Sequence, residues 1–171
     1  MVQRSSATSI GFLTMPTSDH PAELAARVAD AAQRAGATVA VAESLTAGAL
    51  AQELAAAPNA SSWFAGGIVA YRAESKFRVL SVNEGPVMSR QCAEEMARGA
   101  RDLFAADVSV ATTGVGGPGE EEGHAAGTVF VAVAADDEVE SQCLELEGGV
   151  TRIIDGAVEA VLEMLLSAIP G

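Results

Sequence analysis

The sequence is poor in positive charge, in cysteine and in histidine. Its 10 basic residues stand against 23 acidic ones, which gives a net charge of −13. Because affinity for phosphate backbones comes mainly from Lys and Arg, we expect no binding to nucleic acid or to an anionic membrane. Cys92 and Cys143 lie far apart without the CxxC spacing of metal sites. This cysteine usage argues against a metal site or a disulfide framework and favours a reducing cytoplasm.

Long apolar runs are also missing. No run approaches the roughly 18 to 20 residues that a membrane-spanning helix needs. The first residues carry one Arg and a broken apolar patch, which is too short for a secretory signal. We predict that residues 1–18 form a disordered tail and that residues 19–171 form one domain. The 49% hydrophobic content is enough for a single core and favours a homo-oligomer.

Helical and strand patterns alternate along the predicted domain, and a hairpin pattern comes late. A helix is predicted to start at Asp19–Pro21 and to stop at Gly36, since Asp caps helices, Pro favours a first turn and Gly ends them. Further helices are predicted over 46–56, 74–82, 89–104 and 148–169, and strands over 38–42, 66–71, 106–113, 127–136 and 138–146. The last two strands should pair as an antiparallel hairpin. The order predicts an α/β fold, a three-layer α/β/α sandwich with a mixed β-sheet.

The stretch AESLTAG, residues 42–48, places Ser44 just after a strand whose residues are all apolar. The carboxyl ends of such strands are where α/β proteins hold ligands, and the first N–H groups of the next helix would attract an anion. Ser44 is therefore a candidate nucleophile. The simpler interpretation is that Ser44 or Thr46 caps the helix, and a serine nucleophile needs a base.

Lys76 is the chain's one lysine, and it lies just after the second predicted strand. It could act as that base if burial lowers its pKa; an ordinary exposed helix lysine is the alternative. The two histidines are weaker candidates, since His20 borders the predicted tail and His124 lies in a glycine-rich loop.

That loop, TGVGGPGEEEG at 113–123, contains GxGxxG but leads into glutamates and a strand. A dinucleotide site would need a helix there, so we reject this interpretation, although the loop's N–H groups could still hold an anion or a carbonyl oxygen. Glu120, Glu121 and Glu122 have little to pack against, so this acidic run is predicted to be mobile and solvated.

Arg152, near the start of the last helix, opposes the helix dipole unless an anion binds there; a surface arginine is the alternative.

Four ordered segments together resemble the C-terminal domain family of the competence/damage-inducible protein CinA, which includes nicotinamide mononucleotide (NMN) amidohydrolases. The family's A-E-S-C-T-G-G corresponds here to AESLTAG (42–48), and its G-x-x-x-Y-x-x-x-x-K corresponds to GIVAYRAESK (67–76). Its T-G-I-A-G-P-x-G corresponds to TGVGGPGEEEG (113–123), and its G-x-R corresponds to GGVTR (148–152). The likeness covers about residues 20–168. Leu45 replaces the usual cysteine, Ala47 replaces the first glycine of the pair, and EEEGHAA stands where the family has a Gly/Ser-rich stretch and Lys-Pro-Val.

The resemblance implies hydrolysis of the NMN carboxamide to nicotinate mononucleotide and ammonia, with Ser44 as nucleophile and Lys76 as base. It also implies a set of residues that face the substrate: Glu43, Thr46, Gly48, Tyr71, Thr113, Gly114 and Arg152. Among these, the backbone around Ser44, Thr113 and Gly114 would hold the oxyanion, and Arg152 with the helix start at 46–48 would hold the phosphate. Tyr71 would line the nicotinamide pocket or orient Lys76. The substrate is then a pyridine mononucleotide, and no metal or organic cofactor is required.

Two other classes of function remain open at this stage. One is a non-catalytic member of the family that binds a nucleotide or a protein, which the divergent acidic loop makes plausible. The other is an amidase or esterase that acts on a different small acyl compound. Ammonia release from NMN, ester hydrolysis and binding without turnover would distinguish the three.

Overall fold

A computed structural model describes residues 20–170. Its helices are α1 (Pro21–Ala35), α2 (Ala49–Ala56), α3 (Ala73–Val79), α4 (Arg90–Phe104) and α5 (Val150–Ala168), and its strands are β1 (Val39–Glu43), β2 (Phe64–Val69), β3 (Val108–Gly114), β4 (Thr128–Ala135) and β5 (Glu138–Glu145). A short 3₁₀ helix, Ala60–Ser62, precedes β2. The predicted tail and the predicted cap Asp19 lie outside the described residues; His20 is the N-cap of α1, and Gly36 ends that helix as predicted. No helix within residues 20–170 is both long and apolar enough to cross a membrane.

The five strands form one mixed sheet in the order β2-β1-β3-β4-β5. β1 runs parallel to both β2 and β3, whereas β3–β4 and β4–β5 are antiparallel. The predicted hairpin is present, with Ala135 opposite Glu138. Because β1, β2 and β3 are parallel, their carboxyl ends meet at one edge of the sheet, where α/β proteins place ligands.

The two faces of the sheet differ in side-chain size. Valines of β1, β3 and β4 join α1, α2 and α5 in one core cluster. Alanines of the same strands join α4 and the residues that follow α3 in a second cluster. Side chains alternate between faces along a strand, so the repeated Val-Ala pattern produces a bulky face and a small-residue face. Helices cover both, which confirms the three-layer α/β/α arrangement with a mixed sheet.

Several element boundaries differ from the prediction. β2 ends at Val69, so Tyr71 lies beyond the strand, and α2 begins at Ala49, three residues after the predicted start. Residues 45–48 form a turn in which Ala47 and Gly48 both have positive φ, 48° and 103°. The helix starts late because its first N–H groups are bonded by a side chain from the preceding strand, as described below.

Candidate active site

Ser44 and Lys76 lie in contact at the carboxyl edge of the parallel strands. The Lys76 amine donates to Ser44 Oγ at 2.9 Å and to the carbonyl oxygen of Tyr71 at 3.0 Å. The Ser44 residue is 4% exposed and the Lys76 residue 0%. The alternative of an exposed helix lysine is therefore wrong, and the predicted contact between the two side chains is present.

Burial is the main influence on the Lys76 amine. It lowers the pKa of Lys76, because desolvation disfavours the charged form, while Cys92, Glu121 and Glu122 oppose the shift and raise it. No carboxylate is hydrogen-bonded to the amine among the described residues. A lysine in this setting loses its proton more readily than a solvated one, which is what a general base requires.

Tyr71 reaches the pair through its backbone, not through its ring. Its carbonyl oxygen fixes the Lys76 amine, whereas the residue as a whole is 66% exposed. The main chain of Ala70 is tied to β1, since its N–H donates to the Glu43 carbonyl oxygen at 2.8 Å. Tyr71 therefore orients Lys76, which was one of its two predicted roles.

Glu43 has a role that differs from the predicted contact with substrate. Its carboxylate accepts three backbone N–H bonds at the start of α2, from Gly48 (3.0 Å), Leu50 (3.2 Å) and Ala51 (2.8 Å), and the residue is fully buried. The remaining N–H of that turn, on Ala49, donates to the Thr46 carbonyl oxygen. We therefore correct two predictions: Glu43 holds the turn after Ser44, and the N-terminus of α2 is occupied by this carboxylate and is not a phosphate site.

Thr46 connects the same turn to strand β3. Its hydroxyl shares a hydrogen bond of 2.8 Å with the hydroxyl of Thr112, and both residues are buried. The Ser44 N–H donates to the Thr112 carbonyl oxygen at 3.0 Å. Neither Ser44 nor Thr46 caps α2 with its side chain, so the helix-cap interpretation is wrong. The Ser44 N–H is also already bonded, which removes it from the predicted oxyanion donors.

Thr113 and Gly114 end strand β3 beside these residues. The Thr113 hydroxyl donates to the carbonyl oxygen of Val87 at 2.9 Å, so this side chain supports the segment before α4 and does not point free to a substrate. A Cβ on Gly114 would lie 2.5 Å from the Thr128 carbonyl oxygen. Glycine is needed there because β4 passes so close.

The acidic loop is exposed but is not free of contacts. Glu121 and His124 pair through both of their backbone N–H groups, and the His124 ring packs edge-on against Phe130 at 5.4 Å. The Glu122 carboxylate accepts from the Val87 and Met88 N–H groups. The prediction that this run has little to pack against is therefore wrong for Glu122.

Arg152 lies in the first turn of α5 and is exposed. Val150, at the start of the helix, borders the glycine loop: a Cβ on Gly117 would lie 4.0 Å from the Val150 side chain. No side chain caps α5 at Gly149. This helix start, unlike that of α2, keeps N–H groups available beside an arginine.

Fold and site together define an α/β/α protein with a buried serine–lysine pair at the carboxyl edge of its parallel strands. A family model, the CinA C-terminal domain, matches residues 21–169. The chain belongs to the CinA C-terminal domain family.

Relatives and solved structures agree with this assignment. A CinA-like protein of Frankia casuarinae is 39% identical over 140 residues, covering 79% of this chain and 32% of that protein. The chain spans about a third of the length of the curated relatives it matches. Among crystal structures, a competence-damaged protein (CinA) superfamily protein from Enterobacter cloacae has a TM-score of 0.86 at 31% identity, covering 95% of this chain and 100% of that one. A CinA superfamily protein from Klebsiella pneumoniae has a TM-score of 0.84 at 32% identity, covering 87% and 97%.

Proposed function

We propose that this protein hydrolyses the carboxamide of nicotinamide mononucleotide to give nicotinate mononucleotide and ammonia. The observation that carries the proposal is the 2.9 Å contact between Ser44 Oγ and a fully buried Lys76 amine. Family membership adds support, because the motifs that supply these two residues are those by which the sequence resembles NMN amidohydrolases. The substrate is thus a small pyridine mononucleotide.

In the proposed reaction, Ser44 Oγ attacks the carboxamide carbon while the neutral Lys76 amine takes the hydroxyl proton. The carbon–nitrogen bond then breaks, and Lys76 gives the proton to the departing nitrogen, which leaves as ammonia. A water molecule attacks the nicotinoyl ester, its proton passes through Lys76 to Ser44 Oγ, and nicotinate mononucleotide is released. The Tyr71 carbonyl oxygen keeps the amine aimed at Ser44 throughout.

The tetrahedral oxyanion needs an N–H donor other than that of Ser44. Leu45 follows the nucleophile directly, and its N–H has no acceptor among residues 20–170. The N–H after a nucleophilic serine is a recurrent oxyanion donor, and removing one such donor typically costs about 3 kcal/mol of transition-state stabilisation. We assign this role to the backbone N–H of Leu45. A backbone donor can fill the role whatever side chain the residue carries.

For the phosphate, we propose Arg152 together with the uncapped start of α5. The helix dipole and free N–H groups favour an anion there, and the neighbouring glycine loop ends at the same edge of the sheet. An arginine in a first helical turn is unfavourable without such a partner.

The test is ammonia release from NMN by the wild-type chain and by Ser44→Ala and Lys76→Arg. Arginine keeps the charge but does not deprotonate, so both variants should lose turnover while Lys76→Arg still binds NMN in a thermal-shift assay. Ser167→Ala, an exposed serine of α5, is the control and should match wild type. Wild-type protein that binds NMN without releasing ammonia would show a non-catalytic protein, and turnover of simple esters alone would show a different acyl substrate.

A further inference from the structure

The side chain of Glu122 bonds two successive amides on another part of the chain. One carboxylate oxygen accepts from the Val87 N–H at 3.2 Å and the other from the Met88 N–H at 2.8 Å. Charge-assisted bonds of this kind are stronger than neutral ones. The backbone of Glu122 has a φ of 48°, an unfavourable conformation for a residue with a side chain, which persists only where surrounding contacts hold it.

The segment that Glu122 holds is connected in turn to the nucleophile. Val87 and Met88 are buried, and the Val87 carbonyl oxygen accepts the Thr113 hydroxyl. The neighbouring residue Thr112 accepts the Ser44 N–H with its carbonyl oxygen. A continuous series of hydrogen bonds and peptide units therefore runs from Glu122 to Ser44.

The loop also acts on Lys76, the other member of the pair, through charge. Both Glu121 and Glu122 act on Lys76 electrostatically, and the third group that does so is Cys92 in the first turn of α4. Within residues 20–170, these three groups, from the loop and from α4, are the titratable groups that shift the pKa of Lys76. The two glutamates thus share a charge effect on Lys76, but only Glu122 is shown with side-chain bonds to the segment at 87–88.

We propose that Glu122 is a positioning residue, whose carboxylate fastens residues 87–88 to the glycine loop and so holds the end of β3, at Thr112 and Thr113, in place beside Ser44. The role rests on the proposed function only in that Ser44 is taken as the nucleophile. Glu122 belongs to the stretch EEEGHAA, in which the sequence departs from its family pattern. If Glu122 were only a solvated surface residue, or if it only stabilised the fold, its variants would give different results in the two experiments below.

Glu121→Gln and Glu122→Gln form a matched pair, because each removes one charge near Lys76. Glu122→Asp completes the set, since it keeps the charge but is too short to reach both amides. Far-ultraviolet circular dichroism confirms that each variant folds. Amide hydrogen exchange at Val87 and Met88 should quicken at least tenfold in both Glu122 variants and stay unchanged in Glu121→Gln, with the Gly127 amide, bonded to Val115, as the internal reference.

The functional readout is the rate at which p-nitrophenyl acetate acylates Ser44. The acylated protein is measured by intact-protein mass spectrometry, and Ser44→Ala is the blank. This readout does not depend on which acyl compound is the natural substrate. Both Glu122 variants should acylate at least fivefold more slowly at the pH plateau, whereas Glu121→Gln should keep the plateau rate and shift only the pH limb. Glu122 variants with faster exchange but wild-type acylation would overturn the positioning role, as would unchanged exchange. If the wild-type protein did not hydrolyse NMN but the variants still differed in exchange and acylation as described, only the proposed substrate would be refuted.

Discussion

The Lys76 amine lies 2.9 Å from Ser44 Oγ, and neither residue is more than 4% exposed. The amine has two acceptors, the Ser44 hydroxyl and the Tyr71 carbonyl oxygen, and no carboxylate bonded to it among residues 20–170. A buried ammonium without an ionic partner is costly, so the neutral amine is favoured. The arrangement supplies what a lone serine lacks, which is a base already in contact with its hydroxyl.

The first prediction concerns pH. Burial lowers the pKa of Lys76, and in the proposed mechanism the neutral amine is the working base. On that mechanism kcat/KM for NMN should rise with pH through the lowered pKa and level off before the ordinary lysine value of about 10.4. Glu121→Gln removes a charge that raises the pKa of Lys76, so the rising limb should move to lower pH. A rate that falls across the same range would contradict the assignment of Lys76 as base.

Much of the fold could be predicted because its signals are local. The apolar valine-alanine runs predict β1, β3 and β4, and the short gap between the last two predicted strands predicts their hairpin. Proline near the start of α1 and Gly36 at its end mark the bounds of that helix. Lys76 could be singled out because no other lysine competes for its role.

The contacts that were missed are those that join distant parts of the chain. Glu43 caps α2 from inside a strand, five to eight residues before the amides it bonds, which is outside the usual capping spacings. The bonds from Glu122 to residues 87–88 cross 34 and 35 positions of sequence. No local pattern marks such partners, so the loop's acidic run suggested solvent exposure alone.

The second prediction concerns Ala47, which replaces a glycine of the family pattern and has a φ of 48°. A left-handed conformation costs an alanine roughly 1 to 2 kcal/mol, while glycine loses more entropy on folding, about 0.4 to 1 kcal/mol. Ala47→Gly should therefore stabilise the protein by up to about 1 kcal/mol in urea denaturation. Ala55→Gly, at an exposed position inside α2, is the control and should destabilise by a similar amount.

A third prediction tests the role found for Glu43. In Glu43→Gln one carboxylate oxygen becomes an NH₂ group that faces a backbone N–H, for example that of Ala51 at 2.8 Å. Leaving a buried donor unpaired costs about 1 to 3 kcal/mol, so unfolding free energy should fall by that amount and kcat should fall as the turn after Ser44 loosens. Glu53→Gln, in the same helix, should stay within about 0.5 kcal/mol of wild type. Full stability in Glu43→Gln would show that the three bonds contribute little.

The last prediction separates the two helix starts as phosphate sites. Since Glu43 already bonds the N–H groups of α2, the phosphate of NMN should depend on Arg152 at the start of α5. Arg152→Ala should raise KM for NMN at least tenfold, which corresponds to about 1.4 kcal/mol, and leave the KM for nicotinamide riboside, which lacks the phosphate, nearly unchanged. Arg34 is an exposed arginine of α1. Arg34→Ala changes the net charge by the same amount as Arg152→Ala, but away from the site, and should alter neither KM. If Arg152→Ala raised both KM values equally, Arg152 would act on the pocket as a whole; if it raised neither, the phosphate would have to be bound elsewhere along the edge of the sheet.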